Sequence, residues 1–403
     1  MSLKNPKKPG NDFNEGTMRK ISLFMKILFI SCLLLVLSGC WGRHELNSLA
    51  IVSGIGLDKA DSDHVRMTIE IFKPVNGKSS PKDQSGGGSK NYTNVTDTGA
   101  NELDILRGFS HEVNKELYFP HNQVIVLSRE LAEEGLQKHI DFFVRNQEAR
   151  LNVWVLLSES KANEILDVPP LLGNMPAEEI SRLVELQGGN SQSCQVNLEQ
   201  FISSLMSRST SSILPIIEIA GAGQQKKLRL AGTAVFKGDK YAGELNSQET
   251  RGLLWIRNEI KNGIIEVEGT DGEKAMLEIT HSNTKIIPTI ADGKLQFKIE
   301  IRVEGDLGSQ SGQESMATPT GFEDLEKRTA AVIENEINAA LEKAQELNAD
   351  IFGFGEEIHR KEPGEWKKIS ADWENIFQQL DLGLNIKTQL NFPGRITKPV
   401  EIP

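Results

Sequence analysis

A cysteine at position 40 stands fourth in the pentapeptide LSGCW (residues 37–41), directly behind an apolar run at 27–37 that follows Arg19, Lys20 and Lys26. A basic segment, an apolar segment and small residues at the cut compose a secretory signal peptide. Leu, Ser and Gly before a Cys form a lipobox, at which the thiol receives diacylglycerol and the chain is cut before Cys40. The competing reading is an uncleaved membrane-spanning helix over 21–37. It is the weaker one, because a span needs about 20 apolar residues and Lys26 interrupts the run. Two acyl chains at about 0.8 kcal/mol per buried CH₂ supply on the order of 20 kcal/mol gross, enough to hold the chain at a bilayer. Residues 1–39 are therefore set outside the fold as signal peptide. The polar stretch before Met18 is unlike a signal n-region, so Met18 is an alternative start.

The 403 residues are 38% hydrophobic and 25% charged, a globular composition that predicts two or three domains. Without the six Lys/Arg and two Asp/Glu of residues 1–39, 39 basic residues stand against 54 acidic ones, a net charge of −15. That balance disfavours nucleic acid, whose binding needs a basic footprint, and weakens docking on anionic lipid through surface charge. Of the three cysteines, Cys32 falls in the signal segment and Cys40 is the lipid site. Cys194 is left without a disulfide partner and, with no CxxC around it, is expected to be an unreactive thiol.

Along the chain, LAIVSGIGLDK and the alternation Val65, Met67, Ile69, Ile71 predict a hairpin. Residues 77–91 (GKSSPKDQSGGGSKN) carry almost nothing to bury and are expected to be a long loop. Leu103, Leu106, Phe109 and Val113 step as a helix, a strand follows at 123–127, a helix at 130–146 with Leu131, Ile140 and Phe143 inward, and a strand at NVWVLL. Short helices are expected near 160–166, 177–186 and 198–207. GAGQQKK (221–227) is the best candidate linker, and LRLAGTAVFKGDKYAGEL predicts two strands joined at Gly238 and Asp239. ETRGLLWIRN is expected to be a short helix, and strands at 264–290 carry turns at Asp271-Gly272 and Asp292-Gly293. Leu295 to Val303 alternate without a break. After a polar stretch (SQSGQESMATPTG), a long helix over 322–350 has Leu325, Ile333, Ile337, Leu341, Ala344 and Leu347 on one face. Pro363 should end the helix that carries EEIHRK. A last strand at 382–390 is expected to pair with 295–303 in one sheet under the long helix. The fold class is α/β (α+β) with mixed sheets and packed helices, its C-terminal part a long helix against an antiparallel or mixed sheet.

No Gly-x-Ser-x-Gly, phosphate loop or HExxH occurs; His111-Glu112 approaches a zinc helix, but Lys115 stands where the second His should be. Gly54-x-Gly56 lacks a third glycine and reads as a tight turn rather than a nucleotide site. Asn91 and Asn94 match the glycosylation pattern, which carries little weight beside a bacterial lipobox. Runs such as EDLEKR and EEIHRK read as solvated helix faces. No catalytic residues, metal ligands or cofactor site are assigned, and an enzyme is disfavoured.

Three blocks carry a family resemblance: GCWGRHELNSLAIVSGIGLDK, AGTAVFKGDKYAGELNSQETRGLLW and ADIFGFGEEIHRKEPGEWKKISADWENIF. In this order they resemble the Ger(x)C lipoproteins, the C-subunits of spore germination receptors in endospore-forming bacteria. Gly42 departs from the acidic residue more usual there. The resemblance implies a multidomain α/β fold, a signal peptide at 1–39, an N-terminal germination lipoprotein domain at 40–222 and a C-terminal one at 223–403. It implies acylation at Cys40 and a non-catalytic, lipid-anchored subunit working with two integral membrane subunits, of A- and B-type, on the outer face of the spore inner membrane in nutrient-triggered germination. Phe236, Lys237, Gly252, Trp255, Trp366 and Trp373 occupy its signature positions; core packing is the expected role of the aromatics and turn geometry that of Gly252. The alternative is a lipid-anchored solute-binding protein that captures a small nutrient, for which two similar lobes closing on a cleft would be expected. A surface hydrolase, the third reading, would need a perturbed carboxylate pair in a cleft.

Overall fold

The computed structural model describes residues 12–37, 46–61, 63–74, 90–146, 148–269, 272–291, 294–311 and 315–391. The chain divides into two compact units, residues 1–49 and 50–403. In the first, α1 (Asp12–Leu37) is a single helix. Among the described residues no helix is long and apolar enough to cross a membrane. Cys40, the residues around it, most of the loop expected at 77–91 and the turn residues Asp271, Asp292 and Gly293 lie outside the described residues.

The second unit opens with the expected hairpin, β1 (Leu49–Lys59) against β2 (Val65–Phe72), antiparallel with Leu57 opposite Met67. β3 (Tyr92–Gly99) adds to the free edge of β2. It was not anticipated, because YTNVTDTG is polar and follows the Gly-Ser stretch. α2 (Glu102–Glu112) follows, with Ile105 and Phe109 inward and Leu103 exposed, so the expected apolar face is rotated. β4 (Glu116–Tyr118) pairs with β1, and β5 (Val124–Ser128) runs parallel to it.

The helix expected at 130–146 is two, α3 (Arg129–Glu134) and α4 (Gln137–Arg145), broken at Gly135. Gly135 has φ +123°, a conformation that only glycine adopts at little cost. β6 (Trp154–Ser158), α5 (Ala162–Asp167), α6 (Pro176–Asn190), α7 (Leu198–Met206) and β7 (Ile213–Ala220) continue the alternation. β1, β5, β6 and β7 are parallel neighbours. β8 (Lys227–Lys237) and β9 (Lys240–Leu245) then extend the sheet antiparallel, giving nine strands in all. GAGQQKK is therefore no linker between separate bodies; it joins two hydrogen-bonded neighbours of one sheet.

Both faces of this sheet are covered. On one, Val124, Val126 and Leu156 meet Ala162, Ile165 and Leu166 of α5 and Ala177, Ile180 and Val184 of α6. The Gly54-x-Gly56 pair belongs to this packing and is not a turn. A Cβ on Gly54 would stand 2.9 Å from Ala177 Cβ, and one on Gly56 3.1 Å from Ala162 Cβ, so the glycines let two helices settle on the strand.

α8 (Ser247–Ile256) leads to a second sheet of β10 (Gly263–Glu268), β11 (Lys274–Ala291), β12 (Lys294–Gln310) and, last in sequence, β13 (Leu382–Leu390). β13 lies parallel to β12 with Ile386 opposite Ile301, as expected. The long helix, α9 (Pro319–Glu346), covers the sheet: Thr388 Oγ1 donates to the Glu326 carbonyl (2.6 Å), and Leu390 N–H donates to the Glu326 carboxylate (2.8 Å). α10 (Phe354–Lys361) ends before Pro363, α11 (Pro363–Ile369) starts on that proline, and α12 (Trp373–Gln378) precedes β13. One continuous apolar cluster runs from the second face of the first sheet through α8 and α9 to the second sheet.

Candidate functional site

The helix that closes the second sequence block, α8, crosses α9, the helix just ahead of the third block. A capping box starts α8: Glu249 N–H donates to Asn246 Oδ1 (3.0 Å), and Asn246 N–H donates to Glu249 Oε2 (2.7 Å). The next turn brings Gly252 against α9 so closely that a Cβ there would lie 1.9 Å from the Glu336 carbonyl oxygen. The role of Gly252 is thus a backbone-to-backbone helix crossing, not turn geometry.

Around that contact, Arg251 Nε donates to Glu336 Oε1 (2.9 Å) and Trp255 Nε1 to Glu336 Oε2 (2.7 Å), while Arg251 Nη1 donates to the Ile264 carbonyl (3.0 Å). All three side chains are buried. Burial raises the Glu336 pKa, and the Arg251 charge opposes the rise.

Asp350, in the third block, is buried and accepts four backbone N–H groups: Phe352 (3.2 Å), Gly353 (2.9 Å), Phe354 (3.2 Å) and Gly355 (2.8 Å). Desolvation outweighs these bonds and pushes its pKa up to about 6. Trp366 stacks edge-on against Trp373 at 5.6 Å, and Phe236 does the same with Phe201 at 5.4 Å, so the signature aromatics pack as expected. Lys237 Nζ donates to Glu374 (2.8 Å), tying β8 to α12.

Beside the first block, Glu70 is buried in the middle of β2. Ser53 Oγ donates to it (2.7 Å), and so does Ala177 N–H in the first turn of α6 (3.3 Å). Burial pushes the Glu70 pKa up to about 7. Asp58 sits at the carboxyl end of β1, where open α/β sheets commonly hold ligands. Here it accepts Ala162 N–H (2.6 Å) and Asn163 N–H (3.0 Å) and seats the start of α5. A buried His139–Glu102 pair joins α4 to α2.

Sequence reasoning missed these carboxylates. Glu70 stands inside the apolar run MTIEIF, and Glu336 falls on the inward face with Ile333, Ile337 and Ala340; those positions were the available signal. They lie apart, each engaged by N–H or O–H donors, so the geometry makes them structural tie points rather than an acid–base pair.

Among the described residues no group of three His, Cys, Asp or Glu side chains is placed to hold a metal. His111 and Glu112 are exposed on α2. Cys194 is buried, receives a hydrogen bond from Thr233 Oγ1 (3.6 Å), and its thiol is pushed up to about 12 by desolvation, which makes it unreactive. Asn94 Nδ2 donates to the Leu166 carbonyl (2.8 Å) and to Asp167 (2.7 Å), so the atom a glycan would modify is engaged.

Two concavities stand out. One, of about 170 Å³, lies among the Ser207–Ser212 turn, Lys237, Asn348 and Trp373. Its unpartnered polar atoms, Ser212 Oγ, Asn348 Oδ1 and Trp373 Nε1, sit behind the wall, out of reach of solvent. The other, of about 490 Å³, is an open cleft lined by Ile51, Ser53, Phe72, Trp154 and Met175 where β1 begins.

Residues 42–219 match the spore germination protein N-terminal domain, and residues 231–394 match the family described as spore germination B3/GerAC like, C-terminal. The chain belongs to the GerAC-like family of spore germination proteins. Its relatives include three from Bacillus subtilis (strain 168). Spore germination protein KC is 24% identical over 91% of this chain and 95% of its own length; spore germination protein B3 is 25% identical over 94% and 100%. Spore germination protein YndF is 26% identical over 94% and 98%. The crystal structure of the GerBC protein has the same fold, with a TM-score of 0.55 and 19% identity over 84% of this chain and 96% of that one.

Proposed function

We propose that this GerAC-like protein is the lipid-anchored C-type subunit of a nutrient germinant receptor, non-catalytic and bound to two integral membrane subunits of A- and B-type on the outer face of the spore inner membrane. The observation that carries this reading is the end-to-end match to spore germination proteins behind a lipobox at Cys40. Residues 1–39 are its signal peptide, and 40–222 and 223–403 its two germination lipoprotein domains; the family matches change over between 219 and 231. A tether at Cys40 raises the effective concentration of membrane partners to roughly millimolar, so a weak interface suffices.

Separately placed carboxylates, each serving backbone or side-chain donors, favour a binding subunit over a hydrolase. Nine- and four-stranded sheets are unlike the pair of similar lobes a solute-binding protein closes on its ligand.

Cys40→Ala in spores tests the proposal. The expected result is a protein without diacylglycerol by mass spectrometry, absent from the inner-membrane fraction, in spores that no longer germinate with nutrient. Normal nutrient germination of those spores would refute the subunit role.

A further inference from the structure

Between α5 and α6 the segment PPLLGNMP carries Leu171 and Leu172 out into solvent, 70% and 87% exposed. Two adjacent leucines this bare are unusual in the second unit, whose other exposed large hydrophobics stand singly. The segment is held in place: the N–H groups of Leu171 (2.5 Å) and Leu172 (3.2 Å) both donate to Glu179 Oε2 in the first turn of α6. Asn91 Nδ2 donates to Asn174 Oδ1 (3.0 Å), fixing its far side.

These contacts also locate the segment. Lys73 N–H donates to the Asn91 carbonyl (2.7 Å), Phe72 pairs with Tyr92, and Met175 lines the cleft with Ile51. The two leucines therefore project from the end of the sheet where β1 starts. Eight residues separate Cys40 from Leu49, a reach of about 30 Å at full extension. A chain anchored at Cys40 holds that end of the sheet near the bilayer.

Resting on the anchor proposed above, we infer that Leu171 and Leu172 form a rigid apolar finger that inserts into the lipid interface, giving the anchored protein a second membrane contact. Half-exposed Phe72 flanks it, and the exposed Lys73 and Lys90 stand at the same end, suited to meet phosphate headgroups while the leucines enter the acyl boundary. The net charge of −15 does not oppose this, because the finger acts through apolar burial. The contact fixes which end of the molecule faces the membrane, which an acyl tether alone does not.

The full-length lipoprotein carrying Leu172→Cys, labelled with an environment-sensitive nitrobenzoxadiazole dye, is reconstituted in vesicles of phosphatidylethanolamine and phosphatidylglycerol. Ile264→Cys, exposed on the second sheet, and the chain without an added cysteine are the controls; buried Cys194 does not label. Flotation is read first, and a protein that fails to float refutes the anchor and the finger with it. In floated protein the inference expects a blue-shifted Leu172→Cys signal, quenched by shallow spin-labelled lipid, and an unquenched Ile264→Cys signal. A floated protein with an unquenched Leu172→Cys signal leaves the anchor standing and overturns the finger. A signal that becomes buried only when the multi-span subunits are added also overturns it, in favour of a protein partner.

Discussion

The two sheets are built on opposite plans. In the first, parallel β5 reads VIVLS with every residue buried, because helices lie on both faces. In the second, β12 buries Phe297, Ile299, Ile301 and Val303 under α9, while Lys298, Arg302 and Glu304 alternate outward. The first sheet is thus an interior layer, and the second keeps one face open to solvent. A strand with two covered faces holds a carboxylate where donors meet it, as at Glu70. One covered by a single helix depends on the seam beneath that helix, as at Glu336.

The sharpest break in this comparison is at the seam. Glu336→Ala leaves Arg251 buried without its counter-ion and should cost about 3–5 kcal/mol, measured by denaturant unfolding; a loss below 1 kcal/mol would mean the crossing holds without the ion pair. Next is the titration of the first sheet. Between pH 4.5 and about 7 the folded protein keeps a proton on Glu70 that the unfolded chain has released, so stability falls as pH rises through that window. The contribution is on the order of 3 kcal/mol. Glu70→Gln should flatten that part of the pH–stability curve, and an unchanged slope would place the titration elsewhere.

Truncation sharpens the contrast further. Ile125→Ala and Val126→Ala, neighbours in β5, should each cost about 1–3 kcal/mol, whereas in β12 Ile301→Ala should cost that much and adjacent Arg302→Ala within about 0.5 kcal/mol. Equal losses at Ile301 and Arg302 would show the outer face to be covered. The smallest effect is expected at the exposed Lys237–Glu374 pair, where Lys237→Ala should change the unfolding free energy by less than about 1 kcal/mol.

The open-faced sheet was the more legible in sequence. Its period-two alternation at 295–303 and 382–390 gave both strands and their pairing, since a one-residue slip would turn the apolar set to solvent. In the first sheet the helices and most strands were found, but β3, β4 and β7 were not, nor were the close contacts between elements. Gly54, Gly56 and Gly252 look like turn glycines because the absence of a side chain signals only space, and what fills the space is distant in sequence. Gly135 went unnoticed inside a helical pattern whose apolar positions were correct. Asp350 was hidden for the same reason, since only the backbone amides that folding brings to it set it apart from a solvated acid, whereas Glu336 was marked by its place on the inward face of α9. Cys40, legible at once, lies outside the described residues.

The parallel pairing of β13 with β12 sets residue 382 beside residue 297 and makes residues 382–390 the edge strand that completes the second sheet. A translation product ending before residue 382 would emerge with the long side of a 17-residue strand unpaired, an adhesive border for other chains. Such fragments should aggregate rather than fold, so nonsense changes before residue 382 should behave as complete losses.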